Sequence, residues 1–189
     1  MNLANKITVS RLFLVVAMIV LVLVCNGDTT LANYGWAKMV AGGIFLVAAL
    51  TDFLDGHIAR SRGLVTTFGK FLDPIADKVL INSTFILFTA GIFPDIRLSA
   101  IITIIMVVRD IIVDAIRMIA VEKQQVIAAS KWGKLKTVMQ IVALGTIFFI
   151  PVKFIEVGYA LAWVAAAVSL FSGIDYFWKS RKIVLEGIR

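Results

Sequence analysis

Charge is the scarcest property of this 189-residue chain: only 16% of its residues are Asp, Glu, Lys or Arg, while 60% are hydrophobic. Its mean hydropathy is +0.96. Ordinary soluble domains are about half apolar and a quarter charged, so this balance excludes a disordered chain and a disulfide-rich secreted scaffold, and argues against a soluble enzyme. Cysteine and histidine are nearly absent, with one of each. Cys25 lies in an apolar run, which excludes an internal disulfide and any multi-cysteine metal centre. No internal repeat or low-complexity stretch is present, and no small-residue cleavage site follows the first apolar run, which is too long for a signal-peptide core.

What the chain has is long apolar runs. A membrane span takes roughly 20 apolar residues, and the pattern predicts six, at 9–26, 34–60, 68–93, 97–121, 133–151 and 155–178, in one all-α membrane-embedded domain over residues 1–189. Asn2 to Thr8 carry a weak signal for a short interfacial helix before the first span. The net charge is +7, but the basic residues flank the apolar runs, which favours a membrane surface over nucleic acid. Lys6, Arg11, Arg62, Lys70, Lys123, Lys131, Lys134, Lys136, Lys179, Arg181, Lys182 and Arg189 fall on one side, against Lys38, Arg97 and Lys153 on the other. Positive residues collect on the cytoplasmic side, so both termini and the turns at 61–67 and 122–132 are expected there. Headgroup anchoring alone accounts for Lys179, Arg181 and Lys182.

Acids inside spans are costly and usually mark a site. The second span ends with Asp52 and Asp55, and the third opens with Asp73 and Asp77. At about 100° per residue, Asp52 and Asp55 lie ~60° apart and Asp73 and Asp77 ~40° apart, so each pair shares a helix face. A short turn joins the two helices, and the four carboxylates converge. Like charges at close range push protons back on, and the natural remedy is a hard divalent cation, Mg²⁺, Mn²⁺ or Ca²⁺. Two ions about 4 Å apart can clamp the oxygens of a phosphoryl displacement. Gly56 and Ala59 lie within ~40° of the Asp52 direction and leave room for a ligand. Arg60 stands at the rim, suited to a phosphate, and Gly69 permits a close approach. His57 points ~140° away from Asp52 and is read as a rim residue.

The arrangement Asp52-x-x-Asp55-Gly56-x-x-Ala59-Arg60, eight residues, Gly69-x-x-x-Asp73-x-x-x-Asp77 resembles the signature of the CDP-alcohol phosphotransferases, with every fixed position filled. The resemblance implies a six-helix integral membrane enzyme, usually a homodimer, that moves a phosphoalcohol group from a CDP-linked donor to a second alcohol and releases CMP. It implies that Asp52, Asp55 and Asp73 chiefly hold two divalent cations, Mg²⁺ or Mn²⁺, and that Asp77 is the general base, with a metal contact as well. Asp52, Asp55, Gly56, Ala59, Arg60 and Gly69 would cradle the CDP group.

The acceptor is read from the later spans. Arg109 and Arg117, eight residues apart, point near one face, with Asp110 and Asp114 as candidate partners. An internal ion-pair network is the competing reading of these four. Lys131, Lys134 and Lys136 open the fifth span. A basic set of Arg109, Arg117, Lys131, Lys134 and Lys136 favours an acceptor with its own phosphate. Asp114 stands as a rival partner for Arg117, which ranks Arg109 and Lys134 ahead of it.

With Asn5-x-x-Thr8-x-x-Arg11 and Gly133-Lys134-x-Lys136-Thr137-x-x-Gln140, the resemblance narrows to bacterial members that join CDP-diacylglycerol to glycerol-3-phosphate. It covers about 5–140 and implies a site on the cytoplasmic face of the bacterial inner membrane. Members forming cardiolipin, phosphatidylserine or phosphatidylinositol phosphate are the alternatives. A cation transporter is a more distant one, because its acids would be spread through the bilayer rather than crowded at one face. The sixth span is read as lipid or dimer contact, with Trp163 and Trp178 as interfacial anchors, and Asp175 as the ion-pair partner of a nearby Lys or Arg.

Overall fold

The structure is a computed structural model. It describes the backbone of residues 3–25, 31–61, 67–123 and 131–186, and the side chains of 8–25, 35–51, 75–123 and 131–181. The described residues form six α-helices and no strand: α1 (Leu3–Cys25), α2 (Leu31–Ser61), α3 (Thr67–Thr89), α4 (Ala100–Glu122), α5 (Lys131–Phe149) and α6 (Ile155–Glu186).

Each helix follows one of the six apolar runs, with three differences at the ends. Residues from Leu3 onward continue straight into α1, so no separate interfacial helix precedes it. The third helix stops at Thr89, four residues short of the expected end, because Gly91 adopts φ +65° and turns the chain. Leu98 N–H then closes the loop onto Phe88 O at 3.1 Å. The sixth helix runs on to Glu186, past the expected end at 178, through the charged turn that begins at Lys179.

Helix α6 packs against both α4 and α5, and α1 packs against α2 and α3. The pairs α2 with α5 and α3 with α4 join these two groups. Phe45, Phe88, Phe93 and Phe148 meet in one cluster, with ring centroids 4.8 to 6.3 Å apart. That cluster fills the end of the bundle opposite the signature. Gly42 lets α2 and α5 approach there, since a Cβ at Gly42 would lie 2.8 Å from Phe148 Cβ. Lys38, buried, donates from Nζ to Ile150 O at 3.2 Å, satisfying a carbonyl at the end of α5.

Apolar side chains cover the surface as well as the core, and several polar ones are buried. Phe13, Val24, Trp36, Ile111, Met118 and Val121 are widely exposed, whereas Thr8, Arg11, Asp110, Lys136, Gln140, Ser169 and Ser172 are buried. Water disfavours an apolar surface of that extent, while a bilayer accepts it and drives polar groups into the bundle. Arg11 therefore faces the bundle interior rather than lipid headgroups. Among the described residues, Thr8–Cys25 and Val152–Arg181 are long and apolar enough to cross a membrane, and Gly35–Thr51 is a shorter apolar stretch. Helix α4 carries four charged residues, Arg109, Asp110, Asp114 and Arg117, from its middle onward.

Candidate active site

Helix order brings the C-terminal halves of α2, α4 and α6 and the N-terminal halves of α3 and α5 to one end of the bundle. Asp52 and Asp55 fall on the last turns of α2, and Asp73 on the first turns of α3. Their side chains, with those of Gly56, His57, Ala59, Arg60 and Gly69, lie outside the described residues. Asp77, one turn beyond Asp73, is described. It is half-buried and stands at the edge of a cavity of about 210 Å³.

The cavity is walled by α3, α4, α5 and α6. Its described lining carries three carboxylates, Asp77, Asp110 and Asp114, and five cations, Lys78, Arg109, Arg117, Lys134 and Lys136. Five minus three leaves two positive charges, a balance that suits a phosphate dianion.

The arrangement beneath the cavity is an ordered network. Asp110, only 5% exposed at its side chain, accepts from Lys136 Nζ and from Arg109 Nη1 at 3.1 Å. Arg109 Nη2 donates to Ser172 Oγ on α6 at 2.7 Å. Across the cavity, Lys78 donates to Asp114. One buried carboxylate bridging two cations fixes their positions and leaves a net positive charge at the floor of the cavity. So the internal ion-pair reading holds for Arg109, Asp110 and Asp114, while Arg109 and Lys136 both line the cavity and hold α4, α5 and α6 together.

The pairing differs from the sequence expectation in one respect. Asp114 takes Lys78, a residue the sequence reading left out of the site, and does not compete for Arg117. Arg117 is exposed, with its guanidinium carbon 5.8 Å from the centroid of the Tyr176 ring. Lys134 is exposed on the cavity rim and has no ion pair among the described residues. Lys131 is exposed one turn earlier and lies outside the cavity lining. Asp175 pairs with Lys179 one helical turn on, at 2.8 Å.

Helix α6, read from sequence as lipid or dimer contact, supplies Ser172 and Tyr176 to the site. The signal was present as Ser169, Ser172, Tyr176 and Ser180, spaced three or four residues apart on one helix face. All four are buried.

No group of three or more His, Cys, Asp or Glu side chains is gathered among the described residues. Asp110 and Asp114 are engaged by cations, so the oxygen donors suited to a hard cation are the signature aspartates at the junction of α2 and α3. An all-carboxylate set of that kind fits Mg²⁺ or Mn²⁺.

The profile of the CDP-alcohol phosphatidyltransferase family matches residues 1–171. The chain is similar to CDP-diacylglycerol–glycerol-3-phosphate 3-phosphatidyltransferases from several bacteria. It is 32% identical to that of Bacillus subtilis strain 168, over 95% of this chain and 95% of the relative. It is 37% identical to that of Mycoplasma genitalium, over 76% of this chain and 63% of the relative. It is 39% identical to that of Salmonella choleraesuis, over 81% of this chain and 85% of the relative. With the signature spacing intact and the cavity beside it, the match along nearly the whole chain makes this protein a member of the CDP-alcohol phosphatidyltransferase family.

Proposed function

We propose that the chain transfers the phosphatidyl group of CDP-diacylglycerol to glycerol-3-phosphate, giving phosphatidylglycerophosphate and CMP. The observation that carries this reading is the cavity beside Asp77, whose described lining holds two more cations than carboxylates. A neutral acceptor such as serine or free glycerol has no use for that surplus. A phosphomonoester dianion does. The names of the relatives point the same way.

Glycerol-3-phosphate enters with its phosphate toward Lys134 and Arg117, the two cations with open sides, and Arg109 and Lys136 form the fixed positive floor. Its primary hydroxyl lies toward Asp77, which accepts the proton as the oxygen attacks phosphorus. A positioned base is needed because an alcohol is a weak nucleophile at neutral pH. The new bond joins the acceptor oxygen to the phosphatidyl phosphorus. The bond from that phosphorus to the CMP oxygen breaks, and CMP leaves with the electron pair. Asp52, Asp55, Asp73 and Asp77 would hold divalent cations, Mg²⁺ or Mn²⁺, that neutralise charge on the diphosphate. Gly56, Ala59, Arg60 and Gly69 would line the CDP pocket. No activated Ser or Cys nucleophile is required.

The reading includes six membrane crossings in a bacterial cytoplasmic membrane, both termini and the site facing the cytoplasm, where CDP-linked lipids present their nucleotide. It also includes assembly as a homodimer. The test is an assay of purified protein with CDP-diacylglycerol and a panel of glycerol-3-phosphate, serine, inositol phosphate, phosphatidylglycerol and glycerol. Glycerol-3-phosphate should support CMP release far better than the others. A preference for serine or phosphatidylglycerol would overturn the acceptor assignment.

A further inference from the structure

A second concavity lies back to back with the polar cavity, between α4 and α6. It measures about 440 Å³, and apart from Arg109 it is lined by apolar side chains and Gly173. Its walls run from Ile104 to Ile112 on α4 and from Leu170 to Trp178 on α6. Eight residues of helix span about 12 Å, so the groove is elongated along the helix axes. The two helices run parallel here, since Arg109 reaches Ser172 and Arg117 reaches Tyr176. The end with Ile112 and Trp178 is therefore the end that carries the active site.

Among the described residues, Arg109 alone lines both the cavity and the groove. Its path is built: a Cβ at Gly173 would come within 2.9 Å of Arg109 Cγ, so the bare glycine lets the stem cross α6. The guanidinium end is held on the polar side by Asp110 and Ser172, and the stem faces the groove. A charged cavity and an apolar groove thus share a wall one side chain thick. Of the reactants, only the lipid donor and lipid product combine an anionic phosphate with hydrocarbon chains.

We propose that the groove between α4 and α6 seats one acyl chain of the CDP-linked lipid donor, with Arg109 at the seam between its phosphate region and its hydrocarbon. The inference rests on the reaction proposed above. Seating a chain along the groove draws the glycerol backbone of the lipid to the level of Arg109 and sets the reacting phosphorus beside the cavity. It also makes the enzyme sensitive to chain length, because a chain too short to reach the far end of the groove forfeits packing against its walls.

The test fills the groove and varies the donor. Ile174 and Ile104 line it and are exposed within it. Ile174→Trp and Ile104→Trp should lower kcat/KM for a dipalmitoyl donor several-fold, and for a dioctanoyl donor by much less. Val16→Trp, on the exposed face of α1, should leave both values as they are. A CDP-lipid with a diazirine in mid-chain should label α4 and α6 at the groove, and a phosphatidylcholine carrying the same probe should not.

A chain-length dependence unchanged by either tryptophan overturns the proposal. So does equal labelling by the phosphatidylcholine probe, which assigns the groove to bulk lipid. Dissociation of an oligomer by Ile174→Trp without any change in chain-length dependence assigns it to a second copy of the chain, and also overturns the proposal. If the wild type releases no CMP with glycerol-3-phosphate, the reaction reading fails on its own, and the photolabelling still decides the groove.

Discussion

Lys134 and Arg117 are the cations at the cavity whose charge no described carboxylate already meets, and this sets the order of mutational effects. A hydrogen bond to a charged group is worth about 1.5–3 kcal/mol, so Lys134→Ala should raise the KM for glycerol-3-phosphate by about 10–150-fold. The KM for CDP-diacylglycerol should change far less. Lys131→Ala, outside the lining, should leave the acceptor KM near the wild-type value. Steady-state kinetics with each substrate varied separately distinguishes these outcomes. Asp110→Ala has a different signature. It strands Arg109 and Lys136 in a buried site, and breaking a buried pair in that way costs about 3–5 kcal/mol of stability, visible as a lower thermal midpoint in detergent. Asp77→Asn should chiefly lower turnover, by ~10²-fold or more, the usual weight of a positioned base.

The difference between what was and was not legible in the sequence lies in this chemistry. Four acids inside apolar runs have few structural uses, so Asp52, Asp55, Asp73 and Asp77 announce a site. Ser172 and Tyr176 show in the sequence only as part of a polar stripe with Ser169 and Ser180, and the position of Arg109 gives them a purpose. Which acid takes which cation was not legible either. Asp114 chooses Lys78 over Arg117 through the packing of α3 on α4, a contact between residues 36 apart in sequence.

At the scale of the elements, helix pairs meet where glycine permits. Gly42 and Gly43 are neighbours on α2 with opposite prospects. A Cβ at Gly42 meets Phe148 Cβ at 2.8 Å, an atom that cannot swing away, whereas a Cβ at Gly43 meets nothing within 4 Å. Gly42→Ala should therefore destabilise by about 1–3 kcal/mol through overpacking. Gly43→Ala should be neutral or gain up to about 1 kcal/mol, since alanine is the better helix former. Thermal unfolding of the two purified variants is the comparison. Helix existence was readable from the apolar runs, which the helices follow along their length. Helix ends were not, because the third helix is stopped by a backbone turn at Gly91, inside a stretch that is still apolar.

For the whole molecule, the proposed reading makes the apolar surface and the charged cavity at one end two aspects of one constraint: a bilayer on the outside and a phosphate-handling site at its edge. The proposed topology predicts that, in a background with Cys25 replaced, cysteines at positions 28 and 95 are labelled from outside, and those at 65 and 125 from the cytoplasm. Inverted labelling would set the signature away from cytoplasmic nucleotides. Chelation should abolish activity, with Mg²⁺ or Mn²⁺ restoring it, as an all-carboxylate donor set requires. The most direct measurement of the central claim is CMP release by the purified protein from CDP-diacylglycerol, with and without glycerol-3-phosphate. The account predicts CMP and phosphatidylglycerophosphate in equal amounts when the phosphorylated acceptor is present, and almost none with free glycerol. CMP release indifferent to glycerol-3-phosphate, or equal with free glycerol, would contradict it.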